Sequence, residues 1–188
     1  GDGSAKACAG AERRRILPPM PSDWRQHDLP EIVSHLAGRP GHNSVSTLIA
    51  DILRHGLGVD YRALDHEVRL PEVHGRADTL FGTTVFEFKR DLRQEMTDAR
   101  AQLSTYLPER ERQTGRRFLG IATDGATFAA FEIRDGALVE IGSRHETKRD
   151  DPDALLAWLD QAVANRDDLP PEPITVEREL GRNSLTYG

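Results

Sequence analysis

Asp78, Glu87 and Lys89 stand in an Asp-x8-Glu-x-Lys spacing on two short extended segments, Arg76–Phe81 and Val85–Lys89, joined through Gly82-Thr-Thr84. Side chains in a strand alternate with a period of two, so Glu87 and Lys89 share a face, and a hairpin-like turn can bring Asp78 alongside them. Two carboxylates beside one ammonium make a divalent-cation site with a charge partner. Asp78 and Glu87 supply hard oxygen ligands, and the backbone carbonyl of Phe88 adds a third if its strand has a free edge; such a set suits Mg²⁺, for which Mn²⁺ can substitute. A cation held there lowers the pKa of a bound water and offsets charge developing on a phosphate, while Lys89 orients or helps deprotonate that water. The competing account is plain: the three residues form the solvated face of a half-exposed sheet, joined by a surface salt bridge.

The elements that must position these residues follow from periodicity. Residues 1–22, ending in Pro18-Pro19-Met20-Pro21, lack it and read as a flexible tail. A short helix is expected near Leu29–Ala37, broken by Gly38-Arg-Pro-Gly41. A second begins after Asn43 or Ser44, where Val45, Leu48, Ile49, Ile52 and Leu53 recur at three- and four-residue steps before Gly56 and Gly58. Three antiparallel strands come next, about Ala63–Leu70, Arg76–Phe81 and Thr84–Lys89. A helix over about Arg93–Leu107 buries Met96, Ala99, Leu103 and Leu107, and Pro108 should kink or end it.

Strands return at Arg117–Ala122, Thr127–Arg134 and Leu138–Ile141, separated by Thr123-Asp-Gly-Ala126 and Asp135-Gly136, both with hairpin turn chemistry. Asp151-Pro152 opens a last helix carrying Leu155, Leu156, Leu159 and Val163 on one face. This order predicts an α+β domain over 23–165 with a mixed sheet flanked by helices, because the helix after the third strand gives room for a crossover. Residues 166–188, containing Asp167-Asp-Leu-Pro-Pro-Glu-Pro173, read as a linker toward a following domain.

Bulk properties bound the function. The 188 residues are 37% hydrophobic and 30% charged, enough for one packed domain, and a formal net charge of −6 provides no broad basic surface for nucleic acid. Any phosphate contact must depend on a local patch or on bound cations. Cys8 is the single cysteine, which excludes an intramolecular disulfide and points to a cytoplasmic setting. No apolar run approaches the roughly 20 residues that span a bilayer, so no membrane partner is expected. The seven histidines show no paired zinc-ligand spacing, and neither a P-loop nor a methyltransferase motif is present.

Downstream, Gln102 and Tyr106 lie four apart on one helix face. The amide can bond a phosphate or a metal-bound water and the phenol can position a phosphodiester; alternatively they are an exposed Gln and a Tyr at the core edge. Taken together, Asp78, Glu87-Phe-Lys89 and Gln102-Leu-Ser-Thr-Tyr106, on strand, strand and helix, resemble the PD-(D/E)xK nuclease superfamily with its Gln-x3-Tyr branch. Gly120-Ile-Ala-Thr-Asp-Gly125 with Phe128-Ala-Ala-Phe131 is similar to the following strand-turn-strand in restriction endonuclease-like domains on the N-terminal side of adenine DNA methyltransferases. The resemblance spans roughly residues 43–164.

It implies a restriction endonuclease-like fold with core order α-β-β-β-α-β and Mg²⁺-dependent hydrolysis of DNA phosphodiesters. Asp78 and Glu87 are then metal ligands, Lys89 the catalytic lysine, and a fused or associated methyltransferase or specificity domain a partner. Ala77 stands where the motif's proline would be, and the helix at 44–57 has no acidic residue on its apolar face. Glu67 is the candidate for that missing carboxylate, or else a paired strand glutamate; Arg76 and Arg90 either hold phosphate or pair with the acids. A double-strand cut needs two active sites, which makes a homodimer one arrangement. The alternative function is a non-cleaving DNA-binding or protein-interaction module on the same fold.

Overall fold

The computed structural model describes residues 23–58, 64–69 and 76–164, with the backbone alone over 64–69, 76–79 and at 164. The expected tail and linker lie outside the described residues. Leu29, Ile32, Val33 and Leu36 recur on one side of α1 (Leu29–Ala37), which follows a π-helical turn at Trp24–Asp28 and stops at Gly38. Gly41, at φ 95°, starts α2 (His42–Asp51), and a π turn over Ile52–Gly56 prolongs it. Such a φ favours glycine.

Six strands follow in chain order: β1 (Leu64–Arg69), β2 (Arg76–Phe81), β3 (Thr84–Phe88), β4 (Leu119–Thr123), β5 (Thr127–Arg134) and β6 (Ala137–Glu146). They form one mixed sheet in the order β1-β2-β3-β4-β5-β6, antiparallel throughout except for the parallel pair β3–β4. That parallel step uses α3 (Leu92–Thr114) as its crossover, as expected for an α+β chain of this element order. Asp135 and Gly136, at φ 51° and 78°, close β5 to β6 with the paired positive φ values of a type I′ turn.

The sheet separates two apolar layers. On one face Leu36, Ile49, Leu53, Phe86, Ile121, Phe128 and, from α4 (Pro152–Ala164), Leu155 and Leu159 pack together. On the other, α3 lays Leu92, Ala99, Leu103, Tyr106 and Leu107 against Leu80, Val85, Ala122, Ala129 and Phe131. Gly120 permits the close approach of α3 to β4: a Cβ there would lie 2.9 Å from Leu103 Cδ2.

Three expectations need correction. Pro108 neither ends nor visibly terminates α3, which runs on to Thr114 and closes at Gly115 in the left-handed region. The last turns are held from outside the helix ladder: Glu109 accepts from Arg112 and Gln113, and Glu111 accepts from the Phe118 amide. β6 extends to Glu146 instead of stopping at Ile141, because Gly142, at φ 64°, lets the strand bulge and pair again through His145 and Glu146 with Phe128 and Thr127. Finally, β3 is an interior strand between β2 and β4 and not an edge strand, and its pairs with β2 end at Thr79–Phe86 before Phe88 is reached. Among the described residues no helix is long and apolar enough to cross a membrane.

Candidate functional site

β3 is buried along its whole length, and its two faces serve different layers. Phe86 and Phe88 join the layer of α1, α2 and α4, whereas Val85 joins the α3 layer. The two-residue period therefore assigns Glu87 and Lys89 to the α3 side. Their contact agrees: Lys89 Nζ lies 2.9 Å from Glu87 Oε1, and the two side chains are 9% and 5% exposed. Lys89 also extends the β3–β4 ladder by donating its backbone N–H to Thr123 O at 2.9 Å, which fixes where its side chain begins.

From above, α3 completes the surroundings of the ammonium. Lys89 Nζ donates to Asp98 Oδ2 at 2.7 Å and to Gln102 Oε1 at 2.9 Å. A protonated lysine has three N–H donors, so Glu87, Asp98 and Gln102 match its capacity. Burial pulls the Lys89 pKa down, but the hydrogen bonds to Asp98 and Glu87 and the two carboxylate charges together outweigh it, and the pKa sits above the ordinary 10.5. In this arrangement Lys89 is an ammonium whose three N–H groups are directed at Glu87, Asp98 and Gln102.

The N-terminus of α3 is fixed with equal care. Asp91 caps it by accepting the Arg93 amide, and Glu95 Oε2 accepts the amides of Arg90 and Asp91, both at 2.9 Å. The Arg93 guanidinium bonded to Asp91 holds that carboxyl down at about 2. Behind it, the fully buried Asp124 carboxylate accepts from the amides of Leu92, Ala126 and Thr127 and from Arg39 Nε. One side chain thereby ties α3, the β4–β5 turn and the α1–α2 connection together.

Asp78 and Glu67 are placed by register alone. The β2–β3 pairs Phe81–Thr84, Leu80–Val85 and Thr79–Phe86 end one position short of Asp78 and Glu87. The pairs His66–Thr79 and Val68–Ala77 set position 67 opposite 78. Positions 67, 78 and 87 thus lie on the adjacent strands β1, β2 and β3, 67 and 78 in register with each other and 78 one position beyond the last β2–β3 pair, Thr79–Phe86. The side chains of Glu67, Arg76 and Asp78 lie outside the described residues. Among the described residues, no three His, Cys, Asp or Glu side chains converge as a cation site.

The remaining expected residues divide. Gln102 is at the site, bonded to Lys89. Tyr106 is 4% exposed and packs under α3 with its hydroxyl enclosed, so it supports the helix and is not offered to a phosphodiester. Arg90 is exposed beside the cap, with its backbone amide held by Glu95. Phe88 is a core residue, 2% exposed. Asp98 was not anticipated from the sequence, although the signal was available: it precedes Gln102 by four residues, as Gln102 precedes Tyr106, so one further helical step back lands on it. No protein-family model, no curated protein and no solved structure matches this chain.

Proposed function

We propose that this chain is a nuclease domain of restriction endonuclease-like fold that hydrolyses DNA phosphodiesters with Mg²⁺, or Mn²⁺ in its place. The observation that supports the reading is that acidic positions 67, 78 and 87 fall on three adjacent strands of one sheet, with Lys89 one period further along β3 and bonded to Glu87. The donor set fits a hard divalent cation: the acids at 67, 78, 87 and 98 outnumber the single ammonium among them, and carboxylate oxygen is the ligand such ions prefer. The ligands are assigned to the side chains of Asp78, Glu87 and Glu67 and to the Phe88 carbonyl.

Bound Mg²⁺ supplies an activated water and charge neutralisation at the phosphate. The chain's own residues do the rest. Glu87, rooted in a buried strand, offers a carboxylate whose direction is fixed by the β3 backbone. Lys89 holds its proton and directs it toward a water or a phosphate oxygen. Gln102 orients Lys89 from α3, and Tyr106 keeps that helix seated. A formal charge of −6 makes the cation the means by which a polyanion is admitted at all. A DNA-specificity or methyltransferase partner and a homodimer belong to the same proposal.

One observation favours a second reading. Lys89 bonds Glu87, Asp98 and Gln102 at once and so fastens β3 to α3, a structural use of these residues that suits a non-cleaving DNA-binding or interaction module. Calorimetric titration of Mn²⁺ or Mg²⁺ into the native chain and Asp78→Ala, with circular dichroism as a check on folding, separates the two. Binding that disappears in the variant is the outcome expected of the nuclease. Absence of binding to the native chain assigns it to the non-cleaving class.

A further inference from the structure

All three acceptors around Lys89 Nζ lie between 2.7 and 2.9 Å, and an ammonium has three donors. In this state the site has no lysine donor to give to a ligand. Any phosphate that uses Lys89 must first take one bond from Glu87, Gln102 or Asp98. The three are not equivalent. Glu87 is 5% exposed and buried between β3 and α3, where water cannot replace the ammonium without parting the two, whereas Asp98 is 62% exposed and can exchange the ammonium for water. Gln102 is neutral, so giving up its bond relieves no charge competition with an incoming anion. Asp98 alone combines the same charge as a phosphate with free access to solvent.

We infer that Asp98 is a displaceable latch: its carboxylate occupies the Lys89 donor that a phosphate group of the substrate must take, and it gives way by turning into solvent. This rests on the nuclease reading, which brings a phosphodiester to Lys89, and adds a regulation of the same site. Asp98 is a positioning residue, acting through Lys89. In the closed arrangement it holds the ammonium beside Glu87; when phosphate arrives, one anion replaces another on the same N–H. The exchange keeps the number of hydrogen bonds on Lys89 constant and selects for a ligand that is anionic and able to reach between α3 and β3.

The test titrates inorganic phosphate into the full chain while following the Lys89 ¹⁵Nζ resonance, in native protein, Asp98→Ala and Asp98→Asn. Both substitutions fall on an exposed helical position, and circular dichroism verifies the fold. Asp98→Ala is expected to bind phosphate about fivefold more tightly at Lys89, the scale of one partly screened ion pair. Asp98→Asn, which loses the charge and keeps an acceptor oxygen, should fall between. Equal tightening in both variants would mean that charge at a distance, and not release of the donor, governs binding, and overturns the latch. Unchanged or weaker affinity, or no Nζ response in any of the three proteins, overturns it as well. Neither readout uses metal or cleavage, so a failed metal titration counts against the nuclease reading while this result stands by itself.

Discussion

Lys89 is the residue on which the site turns, and its surroundings make a measurable claim about pH. Its folded pKa is raised above 10.5, so the stabilisation it brings is fully present below the unfolded value and is lost as pH rises through the folded one. Denaturant unfolding followed as pH rises past 10.5 should show native protein losing stability. Lys89→Met should be less stable at pH 8 by about 2–3 kcal/mol, the worth of hydrogen bonds to charged groups, and should converge toward the native value as pH rises. A constant difference across the range would mean that the ammonium's charge is not what the site uses. The same residue shows what spacing alone conveys. Glu87 and Lys89 sharing a face was legible from the period of two, and the 2.9 Å contact agrees. That the ammonium's third partner would be Asp98 depended on how close α3 comes to the sheet, which Gly120 decides and no local pattern announces.

At the scale of elements, α3 spans the site and also breaks a rule. A proline inside a helix removes one backbone donor and crowds the preceding turn, yet α3 continues for six residues past Pro108 to Thr114. The turns beyond it are retained by Glu109 and Glu111 and by the glycine stop at Gly115. Pro108→Ala is therefore expected to stabilise the chain by about 1–2 kcal/mol, less than the full helix-interior penalty because the unfolded chain also gains freedom. Chemical denaturation reads this, and a loss of stability would show that the helix depends on a bend there. The helices α1 and α4 and the strands β2 and β3 were readable because their apolar periods and turn residues agree with one another. The extension of α3 and the length of β6 were not, since each arises where a tertiary contact or a bulge overrides a local stop signal. In β6 that signal is Gly142-Ser143, and Trp158 Nε1 donates to the Ser143 carbonyl across the bulge at 3.0 Å.

For the molecule as a whole, Asp124 is the common fastening. Its carboxylate is wholly buried, and it receives donors from α3, from the β4–β5 turn and from Arg39 between α1 and α2. Asp124→Ala takes the acceptor from the amides of Leu92, Ala126 and Thr127 and leaves Arg39 with its longer 3.9 Å contact to Asp91, and the expected cost is about 3–5 kcal/mol, in the range for breaking a buried charged network. Amide hydrogen exchange at Leu92, Ala126 and Thr127 should accelerate more than exchange in the centre of β5. Uniform acceleration would instead indicate that the fold opens as one unit and that Asp124 holds no part of it in particular.

The agreement between chain order and sheet order has a kinetic meaning. Strands β1 to β3 and β4 to β6 are two meanders, each closing through neighbours in sequence at little loop entropy, while the parallel seam between β3 and β4 must wait for the whole of α3 to cross over. Positions 67, 78 and 87 belong to the first meander alone. Lys89, whose amide bonds Thr123 across the seam and whose ammonium is held from α3, belongs to the seam. A chain that folds in this order gathers its acidic positions into one sheet before the ammonium beside Glu87 is locked in place from α3.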